Sequence, residues 1–163
     1  MFRNGLELAL VISPRMVSVI RRFVEEIAER LGADDDLSSR VALTAHELLE
    51  NVAKYGVGAQ GVLTLETRAE GEGRRLILTV TNKTMAGHID RLRQTFRAMD
   101  GAEDAFAYYF HLMNSSAVDE PGGLGLARIP AEADMRLALS LVGDEVTISA
   151  ASGVFTPSPE ATR

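Results

Sequence analysis

The spacing of the apolar residues restricts this chain more than any other feature, because it runs at helical steps in some stretches and gives way to short β-compatible runs in others. Met16, Val19, Ile20, Phe23, Ile27 and Leu31 recur at helical steps, and Gly32 follows where such a helix would stop. Val41, Ala45, Leu48 and Val52 predict a second helix, capped by Asp36 or Ser38 and ending near Tyr55, before Gly56 and Gly58. Ahead of both, Leu6–Ile12 predicts a strand, closed by Ser13 and Pro14. Val62–Arg68 and Arg75–Thr81 predict antiparallel neighbours joined through Glu70-Gly71-Glu72-Gly73. Ile89, Leu92, Phe96 and Met99, then Phe106, Tyr109, Phe110 and Met113, predict two further helices broken near Asp100 and Gly101. Leu137–Leu141 and Val146–Ala150 predict a second hairpin about Gly143 and Asp144. Helices and strands in segregated groups imply an α+β two-layer sandwich, its mixed, mainly antiparallel sheet covered on one face by helices. We expect one domain over residues 1–152, with a helical insert at 84–120 and a flexible tail at 153–163.

Composition narrows the class. With 163 residues and 46% hydrophobic side chains, the chain is long enough for one domain with a sizeable core. Its 17 Lys and Arg against 23 Asp and Glu leave a net charge of −6, which argues against a nucleic-acid partner. No apolar run approaches membrane-span length, and Glu7 interrupts the stretch where a signal peptide would be unbroken, so we expect no membrane association and a cytoplasmic location. The absence of cysteine removes disulfides and thiolate zinc sites, leaving chemistry to carboxylates, amides, hydroxyls, lysines and histidines.

One helix carries such groups in a pattern. Glu47, Asn51, Lys54 and Tyr55 share a stripe of the second helix that Thr44 and Arg40 extend. An amide oxygen can ligate Mg²⁺, a carboxylate can orient or deprotonate a nucleophile, and an ammonium can offset phosphate charge. The stripe therefore suits half of a phosphoryl-transfer site, although a polar helix face is also how a surface helix meets water. Asn51 argues against plain solvation, since Asn is a poor helix former and has no capping task there. His46-Glu47 begins a zinc-protease-like HExxH pattern, but Glu50 stands where the second histidine is required. His88 and His111 lack partners at ligand spacing and receive no site role.

A second signal lies far downstream. Gly122, Gly123, Leu124 and Gly125 precede a helical pattern, an arrangement in which bare glycines let backbone amides approach an anion at a helix N-terminus. It is neither a Walker A loop nor a GxGxxG fingerprint, and a flexible connector is the alternative.

Together, Glu47-Leu-Leu-Glu-Asn51-Val-Ala-Lys54-Tyr55 and Gly123-Leu-Gly125-Leu-Ala-Arg-Ile129 resemble the N-box and the glycine-rich phosphate box of the GHKL ATPases. That superfamily includes histidine kinase ATP domains and bacterial anti-sigma-factor serine/threonine kinases. The boxes stand in the family's order, and the resemblance covers the chain from about Ser39 to Ala150. It implies a Bergerat-type sandwich that binds ATP and Mg²⁺, with Asn51 ligating the metal, Glu47 positioning or activating the attacking group, Lys54 and Tyr55 near the nucleotide, and Gly122, Gly123, Leu124 and Gly125 around the phosphates. The family's Asp-x-Gly-x-Gly adenine box is missing. The corresponding strand end reads Thr79-Val-Thr-Asn82-Lys, which leaves Asn82 as the candidate acceptor for the adenine amino group. Divergent SiaB-like kinases are similar in lacking that aspartate.

The resemblance thus implies a serine/threonine protein kinase of anti-sigma-factor type, passing the ATP γ-phosphate to a small regulatory partner, an anti-anti-sigma-like substrate or a sigma factor. A homodimer is expected by the same analogy, and because the first strand offers an edge that must be covered. The alternative is a nucleotide-independent binding module that keeps the scaffold for partner switching or anti-sigma action.

Overall fold

Pro14 can open a helix because its fixed φ suits the first helical position, and the chain turns helical there. The computed structural model describes residues 5–115 and 123–157. In order these form β1 (Gly5–Val11), α1 (Pro14–Arg30), α2 (Asp35–Tyr55), a single 3₁₀ turn (Val57–Ala59), β2 (Gln60–Glu70), β3 (Gly73–Lys83), α3 (Ala86–Asp100), α4 (Ala105–Asn114), α5 (Gly123–Glu132), β4 (Arg136–Val142) and β5 (Glu145–Ala151). Every predicted helix and strand is present.

The strands form one five-stranded sheet in the order β1-β2-β3-β5-β4, and each neighbouring pair is antiparallel. The expectation of a mixed sheet is corrected accordingly. Two of the pairs are hairpins, and between β1 and β2 a pair of helices returns the chain to the end it left, so the next strand must run back. The hairpin turns are Gly71-Glu72 and Gly143-Asp144, in which the leading glycines take φ of 60° and 62° as tight two-residue turns demand.

Helices cover one face of the sheet, as expected. Leu63 and Leu65 of β2, Leu76, Leu78 and Val80 of β3, and Val146, Ile148 and Ala150 of β5 are buried beneath them. Each buried leucine contributes about 1.5–3 kcal/mol by leaving water. The opposite face carries hydroxyls that pair across strands, Thr79 with Ser149 at 3.1 Å and Thr81 with Thr147 at 3.0 Å.

Helix α2 lies at the centre of the helical layer, with Val41, Ala45, Leu48, Leu49 and Val52 buried. Its N-cap is Asp34 rather than Asp36 or Ser38: Asp34 is extended (φ −74°, ψ 173°) and its Oδ1 accepts from the Leu37 amide at 2.8 Å, whereas Asp35 and Asp36 already belong to the first turn. Those carboxylates complement the positive end of the helix dipole.

Helix α1 departs from the predicted stripe. Its buried positions are Val17, Ile20, Val24 and Ala28, while Met16, Val19 and Phe23 are 39%, 67% and 41% exposed. Apolar residues span more than half of this helix, so periodicity identifies a helix without choosing the half that turns inward.

The expected tail is held to the sheet at its start: Phe155 and Arg74 exchange both backbone hydrogen bonds, at 2.8 and 2.9 Å. Among the described residues no helix is long and apolar enough to cross a membrane.

Candidate functional site

The polar stripe of α2 faces the protein at Thr44 and Glu47 and opens toward water at Lys54. Thr44 is fully buried and Glu47 is 9% exposed, because α5 packs across this part of the helix. Solvation therefore does not explain why these residues are polar. Thr44 returns its hydroxyl to the Arg40 carbonyl at 2.9 Å. Arg40 reaches past the base of α2, donating to Asp36 at 2.9 Å and to the Ala133 carbonyl at 3.2 Å.

Glu47 meets the second signal directly. Its Oε1 accepts from Arg128 Nη1 at 3.0 Å, and Arg128 Nε also donates to Glu132 Oε2 at 2.6 Å. These bonds hold the Arg128 guanidinium above its ordinary range, with the Glu132 bond as the larger cause. The Tyr109 hydroxyl of α4 joins the network through Glu132, and burial first, then the Glu132 charge, pushes that phenol up. A carboxylate, a guanidinium and a second carboxylate thus bridge α2 and α5, with a phenol from α4 at the end.

Gly125 leaves room for the Glu47 carboxylate: a Cβ on it would stand 2.5 Å from Glu47 Oε2 and push that carboxylate from its present place. Gly123, Leu124 and Gly125 form the first turn of α5 and not a loop ahead of it, which corrects the sequence expectation. Among the described residues nothing comes within 4 Å of a Cβ on Gly123, Leu124 is 40% exposed, and Gly122 lies outside the described residues.

One turn further along α2, Asn51 lines a small cavity together with Asn82, Thr84, His88 and Leu92. The cavity exists because the ends of α2 and β3 are fastened together. Thr84 Oγ1 donates to the Tyr55 carbonyl at 2.7 Å, and Gly56 pairs with Thr84 as an isolated bridge. Asn82 donates from Nδ2 to the Lys83 carbonyl at 3.1 Å. The imidazole of His88 stacks on the ring of Tyr55, with centroids 4.2 Å apart and planes inclined by 20°. Asn51 Nδ2 and His88 Nδ1 are both buried and have no hydrogen-bond partner among the described residues. Burial, followed by the nearby Arg91 charge, lowers the His88 pKa and favours the neutral ring.

Lys54 is on the outer rim. Its ammonium donates to Glu50 Oε2 at 2.9 Å, and this bond raises the Lys54 pKa and lowers that of Glu50.

The structure thus brings Glu47, Asn51, Tyr55, Asn82 and Gly125 to one side of α2, with Lys54 turned toward solvent. Arg128 and His88 are the additions that sequence reasoning missed. Arg128 follows Gly125 by one helical turn, so helical spacing alone would have put both on one face. His88 carries no local signal, and only the fold brings it against Tyr55.

A magnesium nucleotide matches this site in chemistry but not in volume. An unpartnered buried amide and a carboxylate under a bare glycine are the donor set such a ligand uses. Among the described residues no group of three or more His, Asp or Glu could hold a metal ion, so a cation would need oxygens from the ligand itself. The cavity measures about 20 Å³, room for a water and not for a purine. His88 fills the space beside Tyr55, and Arg128 occupies Glu47.

No protein-family model matches this sequence, and a comparison with curated proteins also finds no match. Among solved structures, the chain resembles one in the crystal structure of the SiaB–SiaC complex from Pseudomonas aeruginosa, with a TM-score of 0.62 over 92% of this chain and 89% of that one. The fold is SiaB-like. Sequence identity is 16%, so the likeness is one of architecture.

Proposed function

We propose that this chain is a partner-switching regulatory protein acting as a serine/threonine protein kinase of the anti-sigma-factor type. ATP is its phosphoryl donor, and its acceptor is a hydroxyl on a small partner protein. The observation that supports this reading is the meeting of two segments 81 residues apart, with Arg128 on Glu47 and the bare Gly125 against the same carboxylate. The SiaB-like architecture supports a regulatory role, and the solved neighbour is itself a complex of two proteins.

In the proposed reaction the acceptor oxygen bonds to the γ-phosphorus while the bond to the β–γ bridging oxygen breaks, ADP leaves with the electron pair, and the hydroxyl proton passes to Glu47. Asn51 would offer its amide oxygen to Mg²⁺, which when bound offsets phosphate charge. Lys54 and the first-turn amides of Gly123 and Leu124 would face the phosphates, and Asn82 would accept from the base. Glu47 must exchange Arg128 for the acceptor, which leaves that guanidinium free to stabilise charge on the transferring group.

The small size of the cavity, about 20 Å³, favours a second reading, a binding module that holds its partner without nucleotide. Calorimetric titration of Mg·ATP into the wild type and Asn51→Ala separates the two. The kinase reading expects binding that Asn51→Ala weakens at least tenfold. No heat of binding with either protein would remove it and leave the scaffold.

A further inference from the structure

The ring pair beside Asn51 is unusual in what it leaves unsatisfied. His88 is a half-buried imidazole whose buried Nδ1 has no hydrogen-bond partner among the described residues, and the only polar side chain of α2 sharing its cavity, Asn51, is also missing one among them. A buried polar atom without a partner is destabilising, so this arrangement holds through the stack and the apolar contacts around it rather than through hydrogen bonds. The backbone carrying the imidazole is exposed but runs between two anchors. Met85 is 73% exposed, Ala86 and Gly87 are exposed, and among the described residues a Cβ on Gly87 would meet nothing within 4 Å. The buried Thr84 holds the chain ahead of this turn by donating to the Tyr55 carbonyl, Ile89 is buried just after His88, and the Met85 carbonyl accepts from the His88 and Ile89 amides at 2.9 and 3.2 Å.

The aromatic face of Tyr55 is therefore covered by a flat heteroaromatic ring carried on an exposed first turn. We infer that His88 is an internal stand-in for a ligand's base: its imidazole occupies the face of Tyr55, and a planar heteroaromatic base binds there by displacing it as the His88 side chain rotates outward. The contact is autoinhibitory, since the occupied cavity of about 20 Å³ excludes a purine until that ring leaves. One aromatic stack is exchanged for another, so the ring sets a threshold that a ligand must exceed without sealing the site permanently. This inference rests on the nucleotide reading above and adds the residue that regulates entry.

The test uses Mg·ATP and the full chain. Removing the competing stack in His88→Ala should tighten binding about three- to tenfold in calorimetry, the range expected for one aromatic pair. His88→Phe keeps a ring on Tyr55 and should bind no more tightly than the wild type. Equal affinities for the wild type and His88→Ala would overturn the stand-in while leaving the nucleotide reading intact, and tighter binding by both variants would do the same. Absence of binding in all three proteins would overturn both. Should His88→Ala fail to fold, NMR of the wild type decides. The His88 ring protons, shifted by the Tyr55 ring, should move toward free-histidine positions as Mg·ATP is added, and saturation without that movement would refute the displacement.

Discussion

Replacing Gly125 by alanine reverses the sign that helix propensity alone would give. In an ordinary helix Gly→Ala stabilises by about 0.8–1 kcal/mol. At this position the new Cβ would stand 2.5 Å from Glu47 Oε2, so Glu47 must withdraw from the Arg128 guanidinium it now meets at 3.0 Å. A hydrogen bond to a charged group contributes about 1.5–3 kcal/mol, and the lower end applies because the Arg128 side chain is 39% exposed and keeps Glu132. The difference is a net loss of about 0.5–1 kcal/mol, or a drop of about 1–4 °C in Tm for a chain of this size. Gly123→Ala is the internal control: nothing among the described residues lies within 4 Å of its Cβ, so it should hold or raise stability by up to about 1 kcal/mol. Thermal and urea unfolding followed by circular dichroism on both variants provides the comparison. If Gly125→Ala melts at or above the wild type, α5 does not rest on Glu47 as described and the argument that the two segments meet there is lost.

Glu47→Gln should keep the fold, with Tm within about 3 °C of the wild type, and lower phosphoryl transfer to a partner at least a hundredfold; transfer at the wild-type rate would remove Glu47 as the base. The folded pKa of His88 lies below its unfolded value, so its contribution to stability is complete above the unfolded pKa and is lost as pH falls through the folded one. Urea midpoints should therefore decline between about pH 7 and pH 5, and His88→Phe should flatten that slope. The depressed Glu50 carboxyl acts in the same direction at lower pH. Because its side chain is 39% exposed, Lys54→Met should alter the acid limb by no more than about 0.5 kcal/mol, read from the same titrations. A dimer should scatter light at twice 17.6 kDa, and a 17.6 kDa species at high concentration in the wild type would refute it.

The order and type of the elements were legible in the sequence because they depend on local rules. Periodicity located α1 and α2, and glycine-led turns located the hairpins at Gly71 and Gly143. The pattern of Glu47 and the downstream glycines marked two segments that the fold brings together. Local rules also explain two misses. Three consecutive aspartates offer several caps, and only backbone conformation selects Asp34. A helix apolar over more than half its surface has no preferred half until its neighbours are in place, which is why Met16, Val19 and Phe23 ended outside.

What tertiary structure alone decided concerns pairs of groups distant in the chain. No spacing rule relates Glu47 to Arg128 or Tyr55 to His88, because each pairing depends on how α5 and α3 settle against α2 after the sheet has formed. The sequence determined by itself that a carboxylate, an amide and a pair of glycines would be available. The fold determined that the carboxylate is held by an arginine and the aromatic face covered by a histidine, since burial and close approach arise only when separate elements share one core.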